Sequence, residues 1–546
     1  MHNLGNFSLK NKLFIILAFF MVLYSSVLVY CQSIIGINYW DIFVYLQNAM
    51  LFSHVNIGSQ LNVPPILSLI TSIAFSLGFV CEASLFVVSG ILFIFLVLGI
   101  YLLFNKRYSP EVSFVASIIF SMLSLVVTWS VSGSNDLPAL CFGVWAVYFT
   151  IRGLNDDFKY YYPAVLLFFF AFFTRFTIGF ILLVMLFYLL VHFDKFRSQL
   201  TRKNIVLMTV FVLFLVVVVG GVYISYQGTI PFISQIFEVS SSSQVSSVNV
   251  GYDLNPFYYV ENLPQFLTSW SVSDRYFVSL STDVNQPTIL SYVIILLSGI
   301  GLAYFIYEMF DLKEKVAENK CVKYVSIIVL SVFLVFTYTH VSYMISEVVF
   351  ILIVYLNYRW LKGNKDDIDY LMFLWLGIFI ILHSYHPVKV DRYILPIFIP
   401  IIYFMIKTIT KICKNNKKKT LIILSIILLI LIPINISYTH SLTKENPHTQ
   451  LEKETSQWLK NYDPNYTKEN ISSDRGVAYS WYLKKYTYTT IPRVLNANNE
   501  SLENKLNQIE AKYYIDSTSN LTNITGYHEI LKKQKDNFQI KIFQRD

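Results

Sequence analysis

"KNKLFIILAFFMVLYSSVLVYCQSIIG", residues 10 to 36, sets two lysines before an unbroken apolar run, Leu13 to Tyr30, and ends without a small-residue cleavage site. A run of that length crosses a hydrocarbon core of roughly 30 Å as a helix. It reads as a retained span, not a removable signal peptide. Similar runs recur at 84–104, 112–130, 136–151, 162–174, 176–193, 205–226, 288–307, 324–339, 343–358, 370–385, 393–411 and 420–438. Together they predict a polytopic α-helical membrane protein of about thirteen transmembrane helices. The composition agrees, with 55% hydrophobic and only 14% charged residues, which excludes a soluble chain of this length. The five cysteines, Cys31, Cys81, Cys141, Cys321 and Cys413, are odd in number and scattered, so neither a disulfide framework nor a cysteine-based zinc site is expected.

Lysine and arginine mark the cytoplasmic loops of a membrane protein. One set of loops carries Lys106 and Arg107; Arg152 and Lys159; Lys195, Arg197, Arg202 and Lys203; Lys313 to Lys323; Arg359, Lys362 and Lys365; and Lys411 to Lys419. The alternate loops are nearly free of them: 32–65 and 131–135 have none, and 227–287 has Arg275 alone. The N-terminus is therefore expected inside and Asp41 outside. Residues 1–439 form the transmembrane domain. Its first external loop, 32–83, holds two short apolar pieces, 42–52 and 65–79, expected as interfacial or partly buried helices. The external loop 227–287, with "SSSSQVSS" at 240–247, has the length of a lid or binding segment. From residue 440 the chain turns polar. Residues 440–546 are expected as an external soluble α/β domain, with helices in 451–462, 477–486 and 501–511 and strands in 470–474, 512–517 and 538–545. Sequons at Asn465, Asn470, Asn499, Asn520 and Asn523 fit that side.

Ionisable groups at a membrane boundary are costly to place, so each is a functional candidate. Four positions stand out: Asp41; Asp136 in "SGSNDLPAL"; Arg175 in "FFTRFTIG"; and the group His383, His386, Lys389, Asp391 and Arg392 in "HSYHPVKVDRYILP". By the predicted topology all lie at external span ends and could line one cavity. Simpler readings stand beside this. Asp41 could cap the helix of 42–52. Asp136, with Pro138 behind it, reads as a helix start. Arg175, Lys389 and Arg392 could snorkel to headgroups. His54, His340, His383 and His386 lack the spacing of a zinc signature, so no metal site is assigned.

The order "YWDIFVYLQNAM", "NVPPILSLITSIAFSLG", a helix pair joined by "NKRYSP", then "SGSNDLPALCFGVWAVYFTIRGL" resembles the GT-C superfamily of membrane glycosyltransferases. Within it, the protein O-mannosyltransferase and lipid A aminoarabinose-transferase branch is the most similar. The resemblance is best over the first 180 residues and looser at "VDRYILPIFIP" and in the tail. It implies a thirteen-span bundle with an external C-terminal domain. It also implies Asp41 as the base, Asp136 as a second acid near the acceptor, and Arg392 with Tyr393 as the branch's "RY". Two departures matter: Ile42 follows Asp41 where the branch often has paired acids, and Val63 precedes the Pro-Pro where it often has a basic residue. The donor phosphate is then left to Arg175, Lys389, Arg392 and Tyr393.

The implied reaction is inverting transfer of a sugar from a polyprenyl-phosphate donor to a protein, lipid or glycan acceptor. The donor already carries a good leaving group, so one base and some cationic stabilisation suffice. The residues do not define a cofactor. A divalent metal is compatible without being required, and no nucleic-acid partner is expected. An oligosaccharyltransferase is disfavoured because the tail lacks a "WWD" motif. A lipid-linked sugar flippase would want mid-bilayer charges and an internal repeat, neither of which is evident. A non-catalytic glycolipid-binding protein remains the third reading.

Overall fold

The computed structural model describes residues 9–55, 63–227, 255–272, 285–310, 320–338, 340–360, 367–386 and 389–546. Every predicted span falls on a helix. Among the described residues, seven helices are long and apolar enough to cross a membrane, or up to nine when two sharply bent pairs each count as one. Their outward faces are apolar, with Phe19, Leu296, Leu429 and Ile436 all more than half exposed, as lipid-facing side chains must be. This is a multi-pass membrane protein.

Several predicted spans are not simple rods. The run 112–130 breaks into Pro110–Ser121 and Ser124–Ser130, which meet at 71° because Leu123 adopts an extended backbone between them. The run 162–174 is one helix, Tyr161–Thr174, of 14 residues. At 1.5 Å per residue it rises about 21 Å, short of a full crossing. Periodicity and hydropathy register neither bend nor shortfall.

The two pieces of the first external loop are helices Trp40–Phe52 and Ile66–Ser76. The first is buried nearly all round, at Ile42, Phe43 and Tyr45 through Met50, so it belongs to the core and does not float at an interface. Most of the predicted lid, 228–254 and 273–284, lies outside the described residues. Its middle contributes helices Tyr258–Glu261 and Leu263–Leu267 to the bundle.

The final span runs as Lys417–Leu442, just past the expected boundary, and Asn446 caps the next helix, Pro447–Tyr462, by accepting from His448 N at 3.0 Å. The tail holds a five-stranded sheet in the order β2-β1-β3-β5-β4, with β1 Ile471–Ser473, β2 Tyr488–Thr489, β3 Tyr513–Asp516, β4 Tyr527–Lys535 and β5 Phe538–Arg545. β1 lies parallel to β2 and β3, through helical crossovers, whereas β3, β5 and β4 are antiparallel. The purely crossover-built expectation missed β4 because its "YHEILKKQK" is lysine-rich and mostly uncovered, the dress of a protected edge strand. The tail is seated on the bundle: Ala478, Trp481 and Tyr482 join the transmembrane core. Trp481 Nε1 donates to Glu82 at 3.2 Å, and Gln47 Nε2 to the Val477 carbonyl at 3.0 Å.

Candidate active site

Three segments meet under the tail, and each is shaped by its local sequence. Gly133 takes φ +89° in the turn before helix Asp136–Asn155, and a Cβ there would lie 2.9 Å from Leu85 Cδ2, so glycine is required. That turn presents Asp136. Arg175 sits in an extended gap between Tyr161–Thr174 and the 3₁₀ turn Phe176–Phe180. Arg392 opens a 3₁₀ turn, Asp391–Ile397, tightened by Pro396 before the helix Phe398–Ile412 begins.

Arg392 binds both acids. Its Nη2 lies 2.8 Å from Asp41 Oδ2, a partner 351 positions away, and its Nε lies 3.5 Å from Asp136 Oδ2. Nη2 also donates to the Tyr39 hydroxyl at 2.6 Å. The guanidinium lies 4.1 Å from the Tyr39 ring centre and 5.3 Å from that of Trp129, both within cation–π range. Arg175 approaches Asp136 from the other side: Nη1 is 2.9 Å from Asp136 Oδ1 and donates to Asn135 Oδ1 at 3.0 Å. Its guanidinium covers the Tyr393 ring at 4.4 Å. Two carboxylates and two guanidiniums thus alternate as Asp41, Arg392, Asp136, Arg175. Arg392 and Asp136 are almost sealed, at 3% and 4% exposure, whereas Asp41 keeps 30%.

Of the simpler readings, Asp136 as a helix start holds, since it opens helix Asp136–Asn155, and the others need correction. Asp41 is not the cap of its helix: Tyr39 holds that position, without a side-chain capping bond, and Asp41 turns to Arg392. Arg175 and Arg392 do not snorkel outward, because buried carboxylates hold them. Lys389 is buried, with Nζ donating to the carbonyls of His383 and Ser384 at 2.8 and 2.9 Å, which satisfies the end of helix Asp367–Tyr385. Asp136 is brought in space to the same arginine as Asp41. Sequence reading missed Tyr39, Ser134, Asn135 and Trp129. The first three adjoin the named acids, but nothing local marks Trp129.

The family profile described as Dolichyl-phosphate-mannose-protein mannosyltransferase matches residues 62–223. Over that segment the chain is similar to a family of membrane mannosyltransferases. Its fold is similar to that of ArnT from Cupriavidus metallidurans bound to undecaprenyl phosphate, with a TM-score of 0.58 and 9% identity over 96% of this chain and 97% of that one. The same protein in its apo state gives 0.48 and 10%, with the same coverage. No curated protein matches. The matched segment contains Asp136 and Arg175, whereas Asp41 and Arg392 lie on either side of it.

Proposed function

We propose that this protein is a glycosyltransferase that moves a sugar from a polyprenyl-phosphate donor to an acceptor hydroxyl on the external face, with inversion and with Asp41 as base. The observation that carries the reading is the charge chain itself: four ionisable groups held together at a membrane boundary, of which one carboxylate alone stays substantially open. Arg392 fixes the Oδ2 of Asp41. The acceptor O–H gives its proton to Asp41 as the new C–O bond forms at the anomeric carbon. The C–O bond to phosphate breaks with its electron pair left on the phosphate oxygen, so no protonated acid is needed. Arg175 and Arg392 supply positive potential against that leaving charge. Asp136 holds the two guanidiniums in place, and Tyr393 backs Arg175.

An apolar pocket of about 180 Å³, lined by Tyr259, Leu263, Ile295, Leu302, Ile394 and Ile397, opens two residues beyond Arg392 and suits an isoprenoid chain next to its phosphate. The loop charges support an external site, and ArnT's complex with undecaprenyl phosphate supports the donor class.

Proteoliposomes given polyprenyl-phosphate sugars, each radiolabelled in the sugar, together with envelope extract test the proposal. Label should move from one donor to an acceptor, with inverted anomeric configuration, and Asp41→Asn should abolish transfer. Failure to consume any such donor would reject the donor class. Protease added to intact spheroplasts should remove a tag at residue 546, and protection there would reverse the orientation.

A further inference from the structure

Trp40 stands immediately before Asp41 and has a second environment. Between the first turn of Trp40–Phe52 and the tail lies a cavity of about 800 Å³, lined among others by Trp40, Asp474, Arg475, Arg493, Asn496 and Ser519. Its walls are preformed. Asp474 Oδ2 accepts from the backbone and hydroxyl of both Thr518 and Ser519, at 2.7 to 3.0 Å. Asp516 accepts from Ser519 N at 2.9 Å and Leu521 N at 2.6 Å. Arg475 is held by both oxygens of Glu452, and its guanidinium lies 5.2 Å from the Trp40 ring centre. At the mouth, Arg493 and Asn496 are exposed. Arg493 has no carboxylate within ion-pair reach among the described residues, so it is the lining cation left for a ligand.

An indole edge, guanidiniums, an amide and a hydroxyl-bearing loop form a surface for a polyhydroxylated ring, and the uncompensated arginine adds a demand for negative charge. The donor's lipid must arrive from the membrane side. The aqueous side beside the base therefore belongs to the acceptor. We infer that this cavity is the acceptor subsite, and that the acceptor is a saccharide bearing a carboxylate or phosphate, with a ring against Trp40 and the anion on Arg493. The inference rests on the transferase reading for its catalytic meaning.

Binding to full-length protein in nanodiscs tests it without the reaction. The probes are hexagalacturonate as acidic saccharide, maltohexaose as neutral saccharide, and a serine- and threonine-rich peptide, each followed by saturation-transfer NMR and calorimetry. Hexagalacturonate should bind at least about tenfold more tightly than maltohexaose. Arg493→Ala should erase that preference, while Trp40→Phe should weaken both saccharides and leave polyprenyl-phosphate binding unchanged. Preference for the peptide, no binding of either saccharide, or an Arg493→Ala variant that keeps the preference would overturn the subsite. Replacing hexagalacturonate by maltohexaose phosphate separates the sources of charge: tighter binding of the phosphate identifies a phosphorylated saccharide, and tighter binding of the uronate a carboxylated one. If instead Asp41→Asn still transfers sugar while the binding results hold, the catalytic proposal falls and the saccharide site stands.

Discussion

The bundle has two buried charge clusters, one at each end, and they are built differently. Beneath the tail, Asp41, Arg392, Asp136 and Arg175 alternate and leave Asp41 30% exposed. At the far end, Lys407 lies 2.5 Å from Asp369 and 2.7 Å from Glu308, while Lys411 closes on Glu308 at 2.9 Å and Tyr403 donates to Asp369. Asp369 and Lys407 are at 4% and 3% exposure. The far cluster ties helices Ile289–Phe310, Asp367–Tyr385 and Phe398–Ile412 together and has its most buried charges paired with one another. The near cluster uses guanidiniums, whose planar forks hold two carboxylates at once, and keeps one of those carboxylates available. Burial of charge alone does not mark a catalytic site. Openness does not separate the two clusters either, since Glu308 in the far one keeps 37% exposure; the near cluster differs in using guanidiniums in place of lysines and in lying beneath the tail.

The sharpest way to break this contrast is Asp41→Asn. It removes the proton acceptor, so transfer should fall by about 10²–10⁴-fold while the thermal midpoint stays near the parent's. Near-normal turnover of a well-folded variant would make the near cluster a second brace. The converse test is Lys407→Met, which leaves the buried Asp369 with Tyr403 and the more distant Arg107, 3.7 Å away, and Glu308 with Lys411 alone. It should destabilise the protein by about 3–5 kcal/mol in a detergent unfolding assay and leave turnover per folded molecule unchanged. A large loss of turnover at normal stability would give the far cluster a role in the reaction.

Smaller effects sharpen the picture. Arg175→Lys keeps the charge but cannot bridge Asp136, Asn135 and Thr177 together, so about a tenfold loss in kcat/KM is expected, read from initial rates at varied donor. The tail offers a carboxylate pair with no bridging cation. Burial, and then the neighbouring Asp474, push the Asp516 carboxyl up to about 6. A raised acid pKa stabilises the fold below the ordinary value of 3.8 and loses that contribution as pH rises through about 6. Asp516→Asn should therefore flatten the thermal midpoint between pH 4 and 7 relative to the parent, and an unchanged slope would place the titrating group elsewhere.

Much of this was readable before any coordinates. Apolar run lengths mark the spans, because a bilayer imposes its thickness on any chain, and loop lysines supply the proposed orientation. Asp41, Asp136, Arg175 and Arg392 could be chosen as candidates because boundary charges are rare and costly. Their roles could not be assigned, since one carboxylate followed by an apolar residue looks the same whether it caps a helix or faces an arginine 351 positions away.

By itself, the sequence determined a polytopic helical fold, a polar α/β tail and a short roster of charged candidates, all properties that local pattern encodes. Only the tertiary structure decided which charges pair, that Lys389 serves a helix end, that Trp129 backs Arg392, and that the far cluster around Lys407 exists at all. Those outcomes depend on distances between segments far apart in the chain, and Coulombic and hydrogen-bonding energies act on distance in space, not on spacing in sequence.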